Sequence, residues 1–339
     1  MKPFDIVSAA ESQAFEVGMN QRPLVIAVIL NWNKAQQSAD CVLALSEQTY
    51  TNLNIVVVDN GSQEETVGPP LNLNVPFLLL RNPTNLGFTG GVNVGLQRAM
   101  SDGADYVWLV NNDAFPAPDA LELMVNAMCS DPSIGLASGM IRNGDAGDEV
   151  EFCGGLWDED TFQTTNDVAT YESWHDTRAK QIWLVGTALL IRRSLIESIG
   201  LFDNQFFAYW EDNDYSVRSI QAGFFNVVVP AAVVYHFSGA PKTDPGTKPP
   251  HYYYYMARNE ILFLRKHVSI RRLPKLLVWA LNRQFRKLDQ LEALHVLADA
   301  VLCGICDGLR GLGGAYDAGR GLMPAARQPL RSLIKMLRR

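Results

Sequence analysis

The sequence predicts an α/β fold with a doubly wound, mostly parallel central sheet and flanking helices, and three observations carry that expectation. Apolar runs of strand length alternate with segments of helical periodicity between Leu24 and Val110. The runs are continuous in Val, Ile, Leu and aromatics, as strands covered on both faces are. Each ends abruptly in polar residues: Asn31-Trp32-Asn33, Asp59-Asn60-Gly61-Ser62, Arg81 and Asn111-Asn112-Asp113. In a parallel sheet the carboxyl ends share one edge, where open α/β sheets bind ligands, so the four polar stretches are expected to line one crevice.

Taken in order, residues 1–22 are mixed and read as a short arm. Leu24 to Leu30 is the first buried strand, followed by a helix with Ala35, Cys41, Val42 and Leu45 on one face. Ile55 to Val58 and Phe77 to Leu80 are the next two strands, the first closed by a turn signal at Asp59-Asn60-Gly61-Ser62. A loop from Arg81 enters a glycine-rich helix ending near Met100, and Tyr106 to Val110 is the fourth strand. Pro118 opens a helix running to Cys129, where a proline in the first turn gives up no hydrogen bond. Ile134 to Ile141 reads as strand, Asn143 to Lys180 as aperiodic loops, and Ile182 to Ile191 as one buried strand containing Gly186. A short helix over Leu195 to Ile199, an aromatic loop over Phe206 to Trp210, a helix from Glu211 to Ala222 ended by Gly223, and a strand from Val227 to Tyr235 complete the domain. Pro and Gly crowd residues 239–250 and mark a boundary. The expected division is an arm at 1–22, a catalytic domain at 23–250 and a helical, basic region at 251–339.

The chain has 339 residues, 47% apolar and 19% charged, a globular composition. Its charge is split. Residues 1–257 hold 13 Lys and Arg against 30 Asp and Glu, and residues 258–339 hold 16 against 6. A basic appendage on an acidic body is expected to meet an anionic surface, and no nucleic-acid motif accompanies it. From Arg265 to Lys287 basic residues interleave with bulky apolar ones such as Ile270, Val278, Trp279 and Phe285, the pattern of an interfacial helix on an anionic leaflet. Five cysteines without framework spacing fit a reducing compartment, and Cys303 and Cys306 lack the partners of a zinc site. No run of 18 apolar residues exists, and acidic residues interrupt the amino terminus, so neither a membrane span nor a signal peptide is expected.

Gly87, Gly90, Gly91 and Gly95 do not spell G-x-G-x-x-G and follow the third strand instead of the first, and no Walker A sequence is present. Dehydrogenase and P-loop chemistry are therefore disfavoured, while a nucleotide ligand stays open.

In order, the residues Asn31-Trp32-Asn33, Val56-Val57-Val58-Asp59-Asn60-Gly61-Ser62, Arg81 to Phe88, Asn111-Asn112-Asp113, Gly186-Thr187-Ala188, Leu201-Phe202-Asp203, Trp210 to Asp214 and His236 resemble a known family. It is that of the inverting GT-A glycosyltransferases of family 2, in particular the rhamnosyltransferase-like members. The run from Tyr252 to Asn259 is similar to those members too. The resemblance spans about residues 24–265 and implies a GT-A fold and sugar transfer with inversion from a nucleoside diphosphate sugar to a hydroxyl of a cell-surface glycan or lipid-linked acceptor. By resemblance dTDP-rhamnose is the preferred donor, with UDP-galactofuranose and UDP-hexoses open.

The resemblance also implies roles. Asp59 would accept the pyrimidine ring N–H, with Asn33, Arg81, Asn85, Gly87 and Asn112 around the nucleotide. Asp113 matches the last acid of the DxD metal motif, and His236 a histidine that ligates the divalent ion, Mg²⁺ or Mn²⁺. Asn111 replaces the first acid of that motif. Asp212 would be the base and Glu211 its neighbour, Arg258 would touch the diphosphate or an anionic acceptor, and Tyr209 and Trp210 would stack on an acceptor sugar. The implied location is peripheral, at the cytoplasmic face of the plasma membrane. A non-catalytic sugar-nucleotide-binding scaffold is the rival reading, motivated by Asn111; a nucleotidyltransferase would need a basic triphosphate loop that is absent.

Overall fold

The computed structural model describes residues 5–6, 22–63, 73–145, 149–158, 160, 164–165, 181–237, 248–290 and 295–319. Most of the expected arm and much of the expected loop region at 143–180 lie outside the described residues. The chain forms two compact units, one from described residues within 1–159, 163–202 and 212–239, the other within 160–162, 203–211 and 240–339.

The first unit runs β1 (Asp5–Ile6), β2 (Val25–Asn31), α1 (Ala35–Ser46), β3 (Leu53–Asp59), β4 (Phe77–Arg81), α2 (Gly87–Ser101), β5 (Tyr106–Asn111) and β6 (Ala114–Pro116). It continues through α3 (Ala120–Ser130), β7 (Ile134–Asn143), β8 (Val150–Phe152), β9 (Gly155–Trp157), β10 (Thr164–Thr165), β11 (Ile182–Trp183), β12 (Ala188–Arg192), α4 (Arg193–Ile199), α5 (Glu211–Gln221) and β13 (Phe225–His236). The main sheet has the order β1-β4-β3-β2-β5-β12-β7-β13-β6, with β8 paired to β7; β10-β9-β11 form a smaller sheet. The block β4-β3-β2-β5 is parallel. Beyond β5 the sheet is mixed, because β12 runs antiparallel to both β5 and β7.

The parallel block behaves as continuous apolar runs require. Every residue of β3 and all but one of β2 are buried. Helix α2 covers this block through a small-residue ridge. A Cβ at Gly95 would overlap Val28 Cγ1, and one at Gly91 would overlap Leu30 Cδ1. Those glycines therefore serve close helix-to-sheet packing. Gly95→Ala is expected to destabilise the protein by about 1–3 kcal/mol despite its better helix propensity, because Val28 is fully buried and its branched side chain has nowhere to move. Urea denaturation would show it as a lowered midpoint at unchanged slope.

Two expected elements differ. The single strand expected over Ile182 to Ile191 is two, since β11 pairs with β9 in the small sheet while β12 enters the main sheet, with Gly186 and Thr187 in the turn between. The strand around Pro230 is longer than expected and carries a bulge between Val229 and Val233 opposite β7. Pro230 sits in that bulge, the place in a sheet where a residue without an N–H is tolerated.

The second unit holds α6 (Pro250–His267), α7 (Leu273–Gln290) and α8 (His295–Arg310). Its core joins Tyr253, Tyr254, Tyr255, Ile261, Phe285, Val301 and Ile305. Helix α8 lies against α6 through two glycines one turn apart: a Cβ at Gly304 would overlap the Tyr254 carbonyl, and one at Gly308 would come within 2.8 Å of the Arg258 carbonyl. The aromatic segment 203–211 clusters with these helices, although the division expected from the Pro- and Gly-rich stretch at 239–250 puts it in the catalytic domain.

Candidate active site

Strand register builds the site. Asn31 pairs with Asp59, Asp59 with Arg81, and Leu30 with Asn111, so the polar ends of β2, β3, β4 and β5 reach one edge at the same level. The expected convergence of these ends is present in the backbone itself.

A hydrogen-bond network joins them. Asn112 Nδ2 donates to Ser38 Oγ at 3.0 Å, Ser38 Oγ donates to Asn31 Oδ1 at 2.9 Å, and Asn31 Nδ2 donates to Ser62 Oγ at 3.3 Å. Ser62 Oγ also accepts from the Asn33 N–H, and the Ser62 N–H donates to Asp59 Oδ1. Asn33 has φ 54° and caps the turn by accepting from the Gln63 N–H. Asp59 is fully buried, and among the described residues its Oδ2 has no hydrogen bond. Arg81 lies beside it, Nε at 3.5 Å, with its guanidinium held by the Ser62 carbonyl. An acceptor oxygen flanked by a donor is what a pyrimidine imide, one N–H between two carbonyls, would meet.

The loop after β4 is fixed by amides. Asn60 Nδ2 donates to Asn85 Oδ1 and to the Gly87 carbonyl, while its Oδ1 accepts from Asn82 Nδ2 and the Leu86 N–H. Asn85 Oδ1 accepts from the Gly87 N–H at 2.8 Å. Gly61 has φ +73°, and a Cβ there would come within 2.5 Å of the Thr84 carbonyl carbon, so the two loops touch through a glycine that no other residue replaces. Asn85, Gly87 and Asn112 are thereby engaged in shaping the crevice wall.

At the end of β5, Asp113 meets β13. The Phe237 N–H donates to the Asp113 carbonyl, and His236 pairs with Ala114 across the β6 ladder. His236 Nε2 lies 3.3 Å from Asp113 Oδ1, and His236 Nδ1 lies 3.2 Å from Glu151 Oε2 on β8. Burial disfavours the charged imidazole, but the two carboxylates outweigh it and raise the His236 pKa above the usual imidazole range. In chelator, the stability from this trio is present in full below about pH 6.5, the unfolded value, and is lost as pH rises through the raised folded value. Melting temperatures of wild type and His236→Gln are therefore expected to converge on going from pH 6 to pH 9.

The pair Asp113 and His236 fits a divalent ion. Asp113 Oδ1 is buried without a hydrogen bond among the described residues, and its 3.3 Å from His236 Nε2 is near the spacing of neighbouring ligands on one ion. Glu151 on the far ring nitrogen matches the carboxylate that fixes a ligating histidine's tautomer. Among the described residues no group of three His, Cys, Asp or Glu is poised to hold a metal, so the remaining ligands would come from a diphosphate and water.

Asp212 is the second residue of α5. Its Oδ1 accepts from the backbone N–H and side-chain amide of Asn213, and its Oδ2 from the Gly186 N–H at 3.3 Å. Burial holds its carboxyl above the usual carboxylate range, against the lowering effect of those hydrogen bonds. A Cβ at Gly186 would lie 3.9 Å from Asp212 Cβ and 3.8 Å from Phe88 Cζ, so this glycine leaves open a small space beside the carboxylate. Helix α5 is anchored behind it. Fully buried Asp214 pairs with Arg218 at 2.9 Å, whose other nitrogens hold the carbonyls of Ile199 and Leu201. Asn226 ties the Ser216 carbonyl to that of Ile182.

In the second unit, Glu211 is buried and ends the segment Phe206 to Trp210, in which Phe207, Tyr209 and Trp210 all have positive φ, 62° to 71°. Burial, with Tyr252 and Glu211 nearby, pushes the Tyr209 phenol up to about 12. Arg258, expected at the diphosphate or an anionic acceptor, is instead fully buried and holds this segment. Its guanidinium donates to the carbonyls of Gln205, Phe206 and Gly314 and lies over the rings of Tyr254 and Tyr255. Trp210 packs on Phe263, while Tyr209 keeps 37% of its surface exposed. Sequence reasoning places Ser62 at a strand end of the site but does not single out Glu151 or Ser38. Ser62 was legible as part of the Asp59 turn, whereas an isolated acid such as Glu151 gives no signal before the sheet brings it to His236.

Residues 26–200 match the sequence profile of glycosyl transferase family 2. An N-acetylglucosaminyl-diphospho-decaprenol L-rhamnosyltransferase of Mycobacterium tuberculosis is 26% identical over 227 residues, covering 60% of this chain and 73% of the relative. The galactofuranosyltransferase GlfT1 of the same organism is 27% identical over 237 residues, covering 65% and 72%. Among solved structures, the mannosyltransferase PcManGT of Pyrobaculum calidifontis with GDP-Man and Mn²⁺ superposes with a TM-score of 0.56 at 16% identity, over 85% of this chain and 87% of that one. GalNAc-T7 with UDP, GalNAc and Mn²⁺ gives 0.53 at 18% identity, over 71% and 51%. These likenesses establish the GT-A fold. The match covers the four strand ends and Asp113 together, and by it the chain belongs to glycosyl transferase family 2.

Proposed function

We propose that the protein transfers a sugar, rhamnose first among the candidates, from a nucleoside diphosphate donor to a hydroxyl of a lipid-linked glycan at the cytoplasmic membrane face, with inversion. The observation that carries the reading is the strand-end edge itself: a buried carboxylate oxygen on Asp59 that accepts no hydrogen bond among the described residues, flanked by Arg81, at the level of the polar end of β5 that leads to Asp113. The names of two relatives, a rhamnosyltransferase and a galactofuranosyltransferase, support a sugar nucleotide as donor and leave the sugar to experiment.

In this reading Asp59 and Arg81 select the pyrimidine base, and Asn33 with the Asn60 network holds the loops around it. Asp113 and His236 would hold a Mg²⁺ or Mn²⁺ ion, which when bound supplies positive charge to the departing nucleoside diphosphate. Glu151 orients His236. Asp212 takes the proton from the acceptor hydroxyl on the face opposite the leaving group, and the raised proton affinity that burial gives it suits that task. Tyr209 offers an exposed ring to an acceptor sugar.

Transfer assays with dTDP-rhamnose, UDP-galactofuranose and UDP-hexoses, each against a polyprenyl-diphosphate-linked acetamido sugar, test the proposal. One donor is expected to support turnover, and chelation to abolish it. Binding of every donor with transfer of none would replace the enzyme reading by a sugar-nucleotide-binding scaffold.

A further inference from the structure

Helix α7 has two faces, and only one is used by the fold. Leu276, Ala280 and Gln284, successive residues four apart, line the side buried within the second unit, and Phe285 is buried towards the C-terminal end of the helix. The opposite side carries Val278 and Trp279, 55% and 43% exposed, and Ile270 in the preceding turn is 80% exposed. Exposed Lys275, four residues before Trp279, and exposed Arg286, seven after it, share that side, and exposed Arg271 lies in the preceding turn beside Ile270. Two other basic residues of this region have partners inside the unit: Arg283 pairs with Glu260, and Arg272 reaches Asp160. Among the described residues no carboxylate pairs with Arg271, Lys275 or Arg286. Like charges accumulate instead. Burial and the neighbouring Arg286 lower the Arg283 pKa, and burial and Arg283 lower that of Lys287. No described helix is long and apolar enough to cross a membrane.

We propose that the face formed by Ile270, Arg271, Lys275, Val278, Trp279 and Arg286 docks the protein on an anionic lipid leaflet. Its chemistry decides the partner. Cations without counter-ions attract a surface of negative headgroups, a half-exposed indole suits the boundary between headgroup and acyl chain, and isolated aliphatic side chains add shallow insertion. A duplex nucleic acid would satisfy the charge and leave Ile270, Val278 and Trp279 in water. This extends the reading of a lipid-linked acceptor, and vesicle binding is independent of turnover, so each fails separately.

The test is co-sedimentation of the full chain with vesicles of phosphatidylcholine alone or with one third phosphatidylglycerol, at 50 and 300 mM salt. Wild type is expected to bind only the anionic vesicles and to release them at high salt. The double variant R271E/K275E should bind at least tenfold more weakly, and Trp279→Ala severalfold more weakly. Both variants should keep wild-type turnover of a water-soluble acceptor analogue, which also reports that they fold. Wild type that ignores anionic vesicles, a charge-reversed variant that binds them equally, or capture by duplex DNA without dependence on Trp279 would each overturn the proposal. Vesicle binding with no transferase activity would leave the docking face standing and remove the catalytic reading instead.

Discussion

Asp212→Asn is expected to lower kcat by about 10³-fold while leaving donor affinity within a factor of a few, because it removes a proton acceptor and little else. The carboxylate is partly enclosed, and burial raises its pKa, so its charge is costly in the free protein. An amide of the same shape carries no such cost. It keeps one oxygen to accept from Asn213 and gives up the longer contact with the Gly186 N–H at 3.3 Å. Thermal stability should therefore hold. A collapse of both activity and melting temperature would mean that Asp212 is an element of the fold, while undiminished turnover would remove it from the base role. The comparison variant is Asp214→Asn. Asp214 is fully buried against Arg218, so its loss should lower the melting temperature through an uncompensated buried guanidinium.

These two acids stand two apart in the same short motif; the family resemblance picks Asp212 as the base, whereas residue type and spacing alone do not separate it from Asp214. Sequence reading recovers what is local or repeated. The parallel strands show as continuous apolar runs because both faces are covered, and the polar residues at their ends are legible because a parallel sheet has only one carboxyl edge. What sequence reading misses depends on distant partners. The run Ile182 to Ile191 looks like one strand, since nothing in it records that β9 takes one half and β5 the other. Glu151 acquires meaning only from His236, 85 residues away. The family resemblance of the run from Tyr252 to Asn259 points Arg258 at the diphosphate or an anionic acceptor. Its donors are met by the carbonyls of Gln205 and Phe206, some 50 residues earlier, by the Gly314 carbonyl, and by Asn259 Oδ1 and the Tyr254 hydroxyl, and charge alone does not reveal that.

The neighbour of that arginine should have the largest effect on stability. Asn259 is fully buried, and its Nδ2 reaches the carbonyls of Phe206, Ala208 and Tyr209 at 2.9, 2.7 and 2.8 Å, while its Oδ1 accepts from Arg258 Nε. The loop it grips contains three non-glycine residues with positive φ, a conformation that costs about 1–3 kcal/mol for each and persists only where the surroundings enforce it. Asn259→Ala strips donors from buried carbonyls at a cost of about 1–3 kcal/mol for each group left unsatisfied, so a loss of roughly 3–5 kcal/mol is expected. Asn259→Asp is nearly isosteric yet should be worse than Ala, since it retains only acceptors and sets them against three carbonyl oxygens. The order wild type, Ala, Asp in urea midpoints is the signature of donation from the amide. Equal losses for Ala and Asp would show that packing volume holds the loop. Because Arg258 still reaches Gln205 and Phe206 in both variants, the loop's start should stay in place while Tyr209 loosens, and limited proteolysis should cut near Tyr209 before it cuts elsewhere in 203–211.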